Sequence, residues 1–498
     1  MTSNTTSVAP AQTADAPDPR RWIALGVIAV AQLMVVLDAS IVNIALPSAQ
    51  KDLGITDANR QWVITAYTLA FGGLLLLGGR IADYAGRKRA FIVGLLGFAG
   101  ASAIGGVAAN QGMLFAARGL QGAFAAVLAP AALSLLTVTF TEPKERAKAF
   151  GVFGAISGGG AAIGLIVGGV LTEYASWRWC LGVNVPIAIA TALAAVPLVH
   201  ESKAHGDTRY DIPGAILATA GLVSLVYGFT EAAKPDTGWS GGTTLAFLGA
   251  AVVLLAAFVI YESRIQNPLL PMRILLDRNR GGSYLVFLLV GAGLFAMFLF
   301  LTYYFQATLG YTPLKSGVAF LPFSAGIIVT AGIAAQLLPR VGPRPLLIVG
   351  LVMAIAGMFW LLTIDADTAY WAHVLPSEVV MSAGLALVFI PASSTALVGV
   401  GGHDAGIASA VLNTSQQIGG SLGTALLNTL YASAVTAYIT DHATKSGVTD
   451  AVKGASLIHG YHVAFFWGGI LLLGGLVSAV LFINAKREDV PTEGAMAV

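Results

Sequence analysis

Fourteen separate apolar runs, each long enough to cross a bilayer as a helix, punctuate the chain. A hydrocarbon layer of about 30 Å takes roughly 20 apolar residues at ~1.5 Å of rise each. The runs fall at 22–47, 61–82, 90–109, 112–138, 147–171, 179–199, 212–230, 243–262, 281–304, 316–338, 345–364, 370–397, 405–431 and 460–484. The charge content agrees with a membrane solvent. The 498 residues carry 27 Lys+Arg and 25 Asp+Glu, or 10% charged, where a soluble domain carries about 25%. A hydrophobic fraction of 56% excludes disorder for the chain as a whole. A net charge of +2 gives no basic footprint for a nucleic acid. The expected fold class is an all-α polytopic membrane protein with fourteen transmembrane helices, embedded in the cell (cytoplasmic) membrane and in contact with its lipid.

Basic residues orient it. If the N-terminus is cytoplasmic, the inner segments hold nineteen of the 27 Lys and Arg residues. The outer segments hold seven: Lys51, Arg60, Arg178, Lys234, Lys315, Lys445 and Lys453. Arg118 alone is left inside a span. Cytoplasmic loops carry such an excess, so both termini are expected inside. Residues 1–19, rich in Ala, Thr and Pro, read as a disordered N-terminus. The run after Arg20 and Arg21 is too long for a cleaved signal peptide and reads as a retained first helix.

The helices divide as six, two and six: 20–200, a linker 201–280 with two extra spans, and 281–485, followed by a tail at 486–498. Two short basic glycine-bearing loops occupy matching places in the six-helix halves. One reads Gly79-Arg80-Ile81-Ala82-Asp83-Tyr84-Ala85-Gly86-Arg87-Lys88-Arg89, the other Pro339-Arg340-Val341-Gly342-Pro343-Arg344. Two related halves about an axis along the membrane normal are a transporter architecture, with a substrate site near the midplane between them. The polar stretch 432–459 is expected outside, with room for a short amphipathic piece.

Charges within a span cost at least about 2.5–3.5 kcal/mol and need a partner or a job. Asp38, Arg118 and Glu378 fall roughly 13, 9 and 12 Å from the outer face at ~1.5 Å per residue. Asp38 and Arg118 share a half and can pair. A desolvated carboxylate beside a mobile arginine is a proton-coupling device. A static ion pair between the first and fourth helices is the competing reading, and for Glu378 a local pair with His373 or an interfacial position. Asn413, Gln416 and Gln417 share one helix face. With Asn43, Tyr67, Gln121, Tyr303, Tyr304 and Gln306 they supply aromatic and amide groups for a cavity suited to bulky lipophilic molecules. Interhelical hydrogen bonding and an interfacial aromatic belt are the alternatives for these amides and tyrosines. Gly160, Gly164 and Gly168 form a small-residue stripe that permits close helix approach, and is expected at the seam between the two bundles.

Several chemistries have no footing. The single cysteine, Cys180, permits no intrachain disulfide and no zinc spacing. The triplet Gly158-Gly159-Gly160 lacks the Lys-Ser/Thr of a phosphate loop, so no nucleotide is expected. No Ser/His/Asp or HExxH constellation suggests an enzyme. No cofactor and no metal are expected, and a monomer suffices.

These motifs resemble the major facilitator superfamily, and within it the fourteen-helix drug:proton antiporter family, over essentially residues 20–485. Gly79, Asp83, Gly86, Arg87 and Lys88 are similar to the superfamily's motif A, which implies a conformational switch. Arg118-Gly119-Leu120-Gln121-Gly122 resembles motif B, whose arginine is implicated in proton transfer. Leu37 to Pro47 resembles the first-helix signature of the fourteen-helix branch, and Trp177-Arg178-Trp179 through Asn184-Val185-Pro186 another family signature. Gly160, Gly164, Gly168 and Gly169 fit the antiporter motif of the fifth helix, with Leu165 in place of its proline. The resemblance implies a proton-driven exporter of toxic lipophilic compounds or antibiotics. A dedicated exporter of one endogenous metabolite, an importer and a non-transporting receptor are the alternatives.

Overall fold

A computed structural model describes residues 19–203, 211–234, 236–266, 268–400, 402–443 and 448–489. The disorder expected for residues 1–18 and the tail beyond 489 lie outside the described residues. Among those described, fourteen helices are long and apolar enough to cross a membrane. They are α1 Arg21–Leu53, α2 Trp62–Ala85, α3 Arg87–Gly106, α4 Gln111–Thr139, α5 Lys144–Tyr174, α6 Trp179–Leu198, α7 Ile212–Ala232, α8 Gly242–Glu262, α9 Arg278–Thr308, α10 Pro313–Val341, α11 Pro343–Thr363, α12 Tyr370–Leu397, α13 Gly406–His442 and α14 Asp450–Phe482.

The expected spans and the helices correspond one to one, most ends shifting by a few residues, α1 running on from 47 to Leu53, and the largest differences falling at α13 and α14. The polar stretch after 431 is no separate piece. It prolongs α13 to His442 and starts α14 at Asp450. Backbone hydrogen bonds continue the helices past the apolar limit. Tyr438 stacks on His442 at 4.0 Å and lies 5.4 Å from His459, tying the two extensions together.

Buried apolar residues form two large clusters. One lies wholly within the first half and runs from Leu25 to Val199. The other joins Leu46, Ile55 and Val63 of the first half to Phe300, Tyr303 and Tyr431 of the second. The halves therefore share a core at one end, the end carrying the α1–α2 loop. Helix α7 fills a groove between α2 and α13 through Leu69, Leu222, Val226 and Ala425. It bonds to both sides: Gln61 Nε2 donates to Thr230 Oγ1 at 2.8 Å, and Thr429 Oγ1 to the Phe229 carbonyl at 2.7 Å. Helix α8 packs on α7 and leaves Val252 and Val253 exposed, as a lipid-facing helix does.

The two basic loops are built alike. Gly86 has φ +119° and Gly342 has φ +85°, values that admit glycine and strain other residues. Each turn is pinned to the end of its own half's last helix. Lys88 Nζ donates to the Val196 carbonyl at 2.6 Å, and Arg344 Nη2 to the Val480 carbonyl at 2.9 Å.

Candidate functional site

The centre of the first half is polar, fully buried and assembled from five helices. Asp38 of α1 is 0% exposed and Arg118 of α4 is 1% exposed. Close helix packing puts them there. A Cβ on Gly122 would strike the Tyr67 carbonyl, and one on Gly78 the Ala126 carbonyl, so α4 lies directly on α2. That contact carries the guanidinium of Arg118 over the Tyr67 ring, 4.4 Å from its centroid.

Every oxygen of Asp38 has a donor. Oδ2 accepts from Arg118 Nη1 at 2.6 Å. Oδ1 accepts from Gln121 Nε2 at 3.0 Å and from Asn184 Nδ2 of α6 at 2.8 Å. Gln121 Nε2 also donates to Ser102 Oγ of α3 at 2.7 Å, and its Oε1 accepts from Arg118 Nη1 at 2.8 Å. Arg118 Nε donates to the Val63 carbonyl of α2 at 2.9 Å. Removing two charges from water costs several kcal/mol each, and this set of donors is what offsets that cost. Tyr67 Oη and Asn184 Oδ1 remain buried with no hydrogen-bond partner, so the network has spare polar capacity. The sequence does not single out Ser102, and it presents Asn184 only within the Trp177–Pro186 signature, with no role in the site. A Ser or Asn in a span reads as ordinary helix glue, and only the fold aims these two at Asp38.

Glu378 of α12 occupies a separate place, buried in the second half at 1% exposure, so it is not interfacial. The single hydroxyl hydrogen of Tyr370 points chiefly to the Ala319 carbonyl at 2.7 Å and is shared with Glu378 Oε2 at 3.4 Å. Its Oε1 is buried without a partner. His373 does not pair with it and bonds Thr363 Oγ1 instead, at 2.8 Å.

The remaining expected cavity residues disperse. Gln121 and Tyr67 belong to the Asp38 network. Asn43 Nδ2 turns back to the Ala39 carbonyl at 2.9 Å, and Asn413 Nδ2 to the Ser409 carbonyl at 3.2 Å, where it is exposed. Gln417 packs on Gly72 of α2 and Gln416 on Gly291 of α9. Tyr303 and Tyr304 are 5% and 0% exposed, which removes them from any lipid-facing belt. Tyr304 Oη donates to the Asp365 carbonyl at 2.8 Å, and Tyr303 Oη to Gln50 Oε1 of the other half. Gln306 Nε2 also crosses between the halves, donating to the Ile44 carbonyl at 3.0 Å.

The glycine stripe of α5 corrects the sequence reading. Gly160 faces Val36, Gly164 faces Ser40 and the Leu37 carbonyl, and Gly168 faces Ile41, so the row seats α1 within the same half. The seam between the halves uses Gly169, whose added Cβ would lie 2.6 Å from Leu314 Cα of α10. Gly169 follows Gly168 by about 100° around the helix, which puts it on another face. Leu165, buried at 1%, lies on the seam too, its carbonyl against Gly317. Toward the other end of α5 a Cβ on Gly151, Gly154 or Gly159 would meet nothing within 4 Å.

In the basic loop, Asp83 pairs with Arg87 at 2.9 Å and the Glu201 carboxylate accepts from the Lys88 and Arg89 amides at 3.1 and 3.2 Å. Arg80 Nη2 reaches the Pro268 carbonyl at 2.5 Å, joining the loop to the linker. Gly79 packs on Pro130 of α4. Among the described residues no cluster of His, Cys, Asp and Glu could hold a metal ion.

Comparison with known proteins places this geometry. The chain is 51% identical over 486 residues to the puromycin resistance protein pur8 of Streptomyces alboniger, covering 97% of this chain and 95% of that one. It is 40% identical over 404 residues to the cephamycin export protein CmcT of Amycolatopsis lactamdurans, covering 80% and 83%. Among solved structures, a bacterial homolog of the human lysosomal transporter Spinster, inward-facing and occupied, superposes with a TM-score of 0.67 at 14% identity. That match covers 96% of this chain and 100% of the other and speaks to the fold. The family model for the Major Facilitator Superfamily matches residues 28–424. With fourteen spans, two like-built basic loops and a buried ion pair between its first and fourth helices, the chain belongs to the major facilitator superfamily.

Proposed function

We propose that the chain is a proton-coupled antiporter that exports lipophilic antibiotics or related toxic compounds across the cytoplasmic membrane by alternating access. The observation that carries the proposal is the Asp38–Arg118 pair, 2.6 Å apart and sealed from water inside a membrane helix bundle. A buried, fully satisfied ion pair adds little net stability compared with an apolar core, so its retention there calls for a job. Relatives named for antibiotic resistance or export supply the substrate class. The excess of basic residues on one set of loops supports termini in the cytoplasm.

In this mechanism 20–200 and 281–485 rock about a site between them, with 201–280 as the linker. The halves are closed on each other at the Tyr303–Gln50 end, which the loop charges make the outer side, and on this reading the present state is the inward-facing one. In the outward-facing arrangement a proton from outside reaches Asp38 and removes the charge that holds Arg118 Nη1, and substrate is released. The protonated protein returns to face inward, where Asp38 gives up the proton, the tether between α1 and Arg118 re-forms and substrate binding is favoured. One proton thus enters as substrate leaves. Glu378 is a second carboxylate for protons or cationic substrates. Asn43, Asn413, Gln416 and Gln417, which lie apart in the present state, line the cavity with the aromatics once the halves move.

The test uses everted vesicles and a fluorescent cationic dye. Wild-type protein should release protons when dye is added, and Asp38→Asn should not. Dye-induced proton release that persists unchanged in Asp38→Asn removes Asp38 from the mechanism. A growth panel that includes puromycin separates a broad exporter from one dedicated to a single metabolite.

A further inference from the structure

Arg60 sits in the α1–α2 loop, two residues before α2 begins, where hydropathy places it in water. It is nevertheless 2% exposed. A helical turn, with Arg60 N bonded to the Thr56 carbonyl at 2.9 Å and Trp62 N to the Asn59 carbonyl at 2.9 Å, points its side chain into the opposite half. There Nε donates to Asn428 Oδ1 of α13 at 3.0 Å. The guanidinium carbon lies 4.0 Å from the ring centroid of Tyr303 in α9 and 4.7 Å from that of Tyr431 in α13. Tyr461 of α14 backs Tyr431 at 5.3 Å. Asn428 returns the contact, donating from Nδ2 to the Asp57 carbonyl at 2.8 Å. Among the described residues the one acidic group on Arg60, Asp57 at 3.5 Å, comes from its own loop and is 60% exposed. Arg60 Nη2 is buried with no hydrogen-bond partner.

A cation of one half is therefore held by ring faces and an amide of the other. Among the described residues no carboxylate of the second half grips it, so the bond is strong in a dry interface and weak once water enters. That is the behaviour a reversible gate needs. We propose that Arg60 is the latch of the outer gate: its cage of Tyr303, Tyr431 and Asn428 holds the inward-facing state closed outside, and outward opening requires its withdrawal. Arginine is required because one planar group must stack between two rings and donate in its own plane, which an ammonium cannot do. The inference rests on the alternating-access reading above, though not on the identity of any substrate or on proton coupling. Arg60 acts as a positioning residue in this scheme.

The experiment is pulsed electron spin resonance on the full chain in lipid nanodiscs, in a Cys180→Ser background. One spin-label pair spans the outer end at Lys51 and Thr436, both exposed. The other spans the opposite end at Val152 and Ile333, which are 42% and 48% exposed. Arg60→Gln should raise the long-distance fraction of the outer pair several-fold and shorten the inner pair. Arg60→Lys should fall between it and the parent. Tyr431→Leu and Asn428→Ala should act in the same direction and serve if Arg60→Gln does not fold. A merely structural defect would broaden both distributions without this reciprocity, which overturns the proposal. Unchanged distributions in the folded variants overturn it as well. A reciprocal shift in a protein that fails the dye assay would leave the latch standing and the antiport reading wrong.

Discussion

Arg118 of α4 holds the Val63 carbonyl of α2 at 2.9 Å, one helical turn from Arg60. The first turn of α2 is thus gripped from two sides, by the buried ion pair of its own half and, through Arg60, by the rings of the other. Any movement of Arg118 away from Asp38 must either release Val63 or carry the start of α2 with it. The geometry links the charge state of a carboxylate in one bundle to the contact between bundles.

Arg118 serves Asp38, Gln121 and Val63 from two nitrogens, so its replacements should separate charge from shape. Arg118→Lys keeps the charge and loses the fork. It should fold and lose dye-driven proton release by roughly tenfold or more, on the order of one lost charge-assisted hydrogen bond. Arg118→Ala leaves Asp38 with amide donors alone, a cost of about 3–5 kcal/mol. Thermal-shift measurement in detergent should show the larger fall for Arg118→Ala. Equal stability of the two variants would mean that Asp38 is not charged in the resting protein.

Asn184 bonds Asp38 directly, whereas Ser102 bonds only Gln121. Asn184→Ala should therefore impair proton-coupled export more than Ser102→Ala. The expected stability losses are about 1–3 kcal/mol for the former and about 1 kcal/mol for the latter. Export rates across a pH series check the order, and its reversal would show that Gln121, not Asp38, is the group being positioned.

The reach of the sequence is uneven for a physical reason. Spans are legible because the bilayer imposes a length and a composition on every helix. The Asp38–Arg118 pair is legible because charges inside a span are rare enough to single out. Asn184 and Arg60 are not. An asparagine in a span has many bland explanations, and a loop arginine looks solvated until the fold aims it into an aromatic cage. The α5 glycines fail in a third way. Spacing by four locates a close contact and does not say which helix makes it, so Gly164 meets α1 while Gly169 meets α10.

That distinction is testable. Gly164→Val inserts bulk against Ser40 and Leu37 within one half, and should lower thermal stability and yield. Gly169→Val inserts bulk between halves, against Leu314. It should fold with near-parental stability and fail to close the outer end, read as a longer Lys51–Thr436 distance. Comparable stability losses for both would place Gly169 inside a rigid half.

The turn at Gly86 should tolerate no side chain for two independent reasons. Its φ is +119°, and an added Cβ would lie 2.8 Å from Glu201 Oε1. That carboxylate caps the start of α3 and pins residues 201–202 to the loop, where the Arg87 amide donates to the Ser202 carbonyl at 3.0 Å. Glu201→Ala should cost about 1 kcal/mol, the worth of a helix cap. Gly86→Ala should cost more, since it adds strain to the loss of the same cap. Hydrogen exchange of the Lys88 and Arg89 amides should quicken in both variants, with Glu201→Gln restoring most of the protection.

Glu378 offers the sharpest contrast with Asp38. Its Oε1 has no partner and its Oε2 a single long bond from Tyr370, so a neutral amide of the same shape loses little. Glu378→Gln should leave thermal stability unchanged within about 1 kcal/mol. It should preserve proton release driven by neutral substrates and weaken export of cationic ones several-fold, measured as paired resistance profiles in one expression host. Asp38→Asn should abolish both classes together. If Glu378→Gln also abolishes both, the second half carries an obligatory proton, and Glu378 serves protons and not cationic substrates alone.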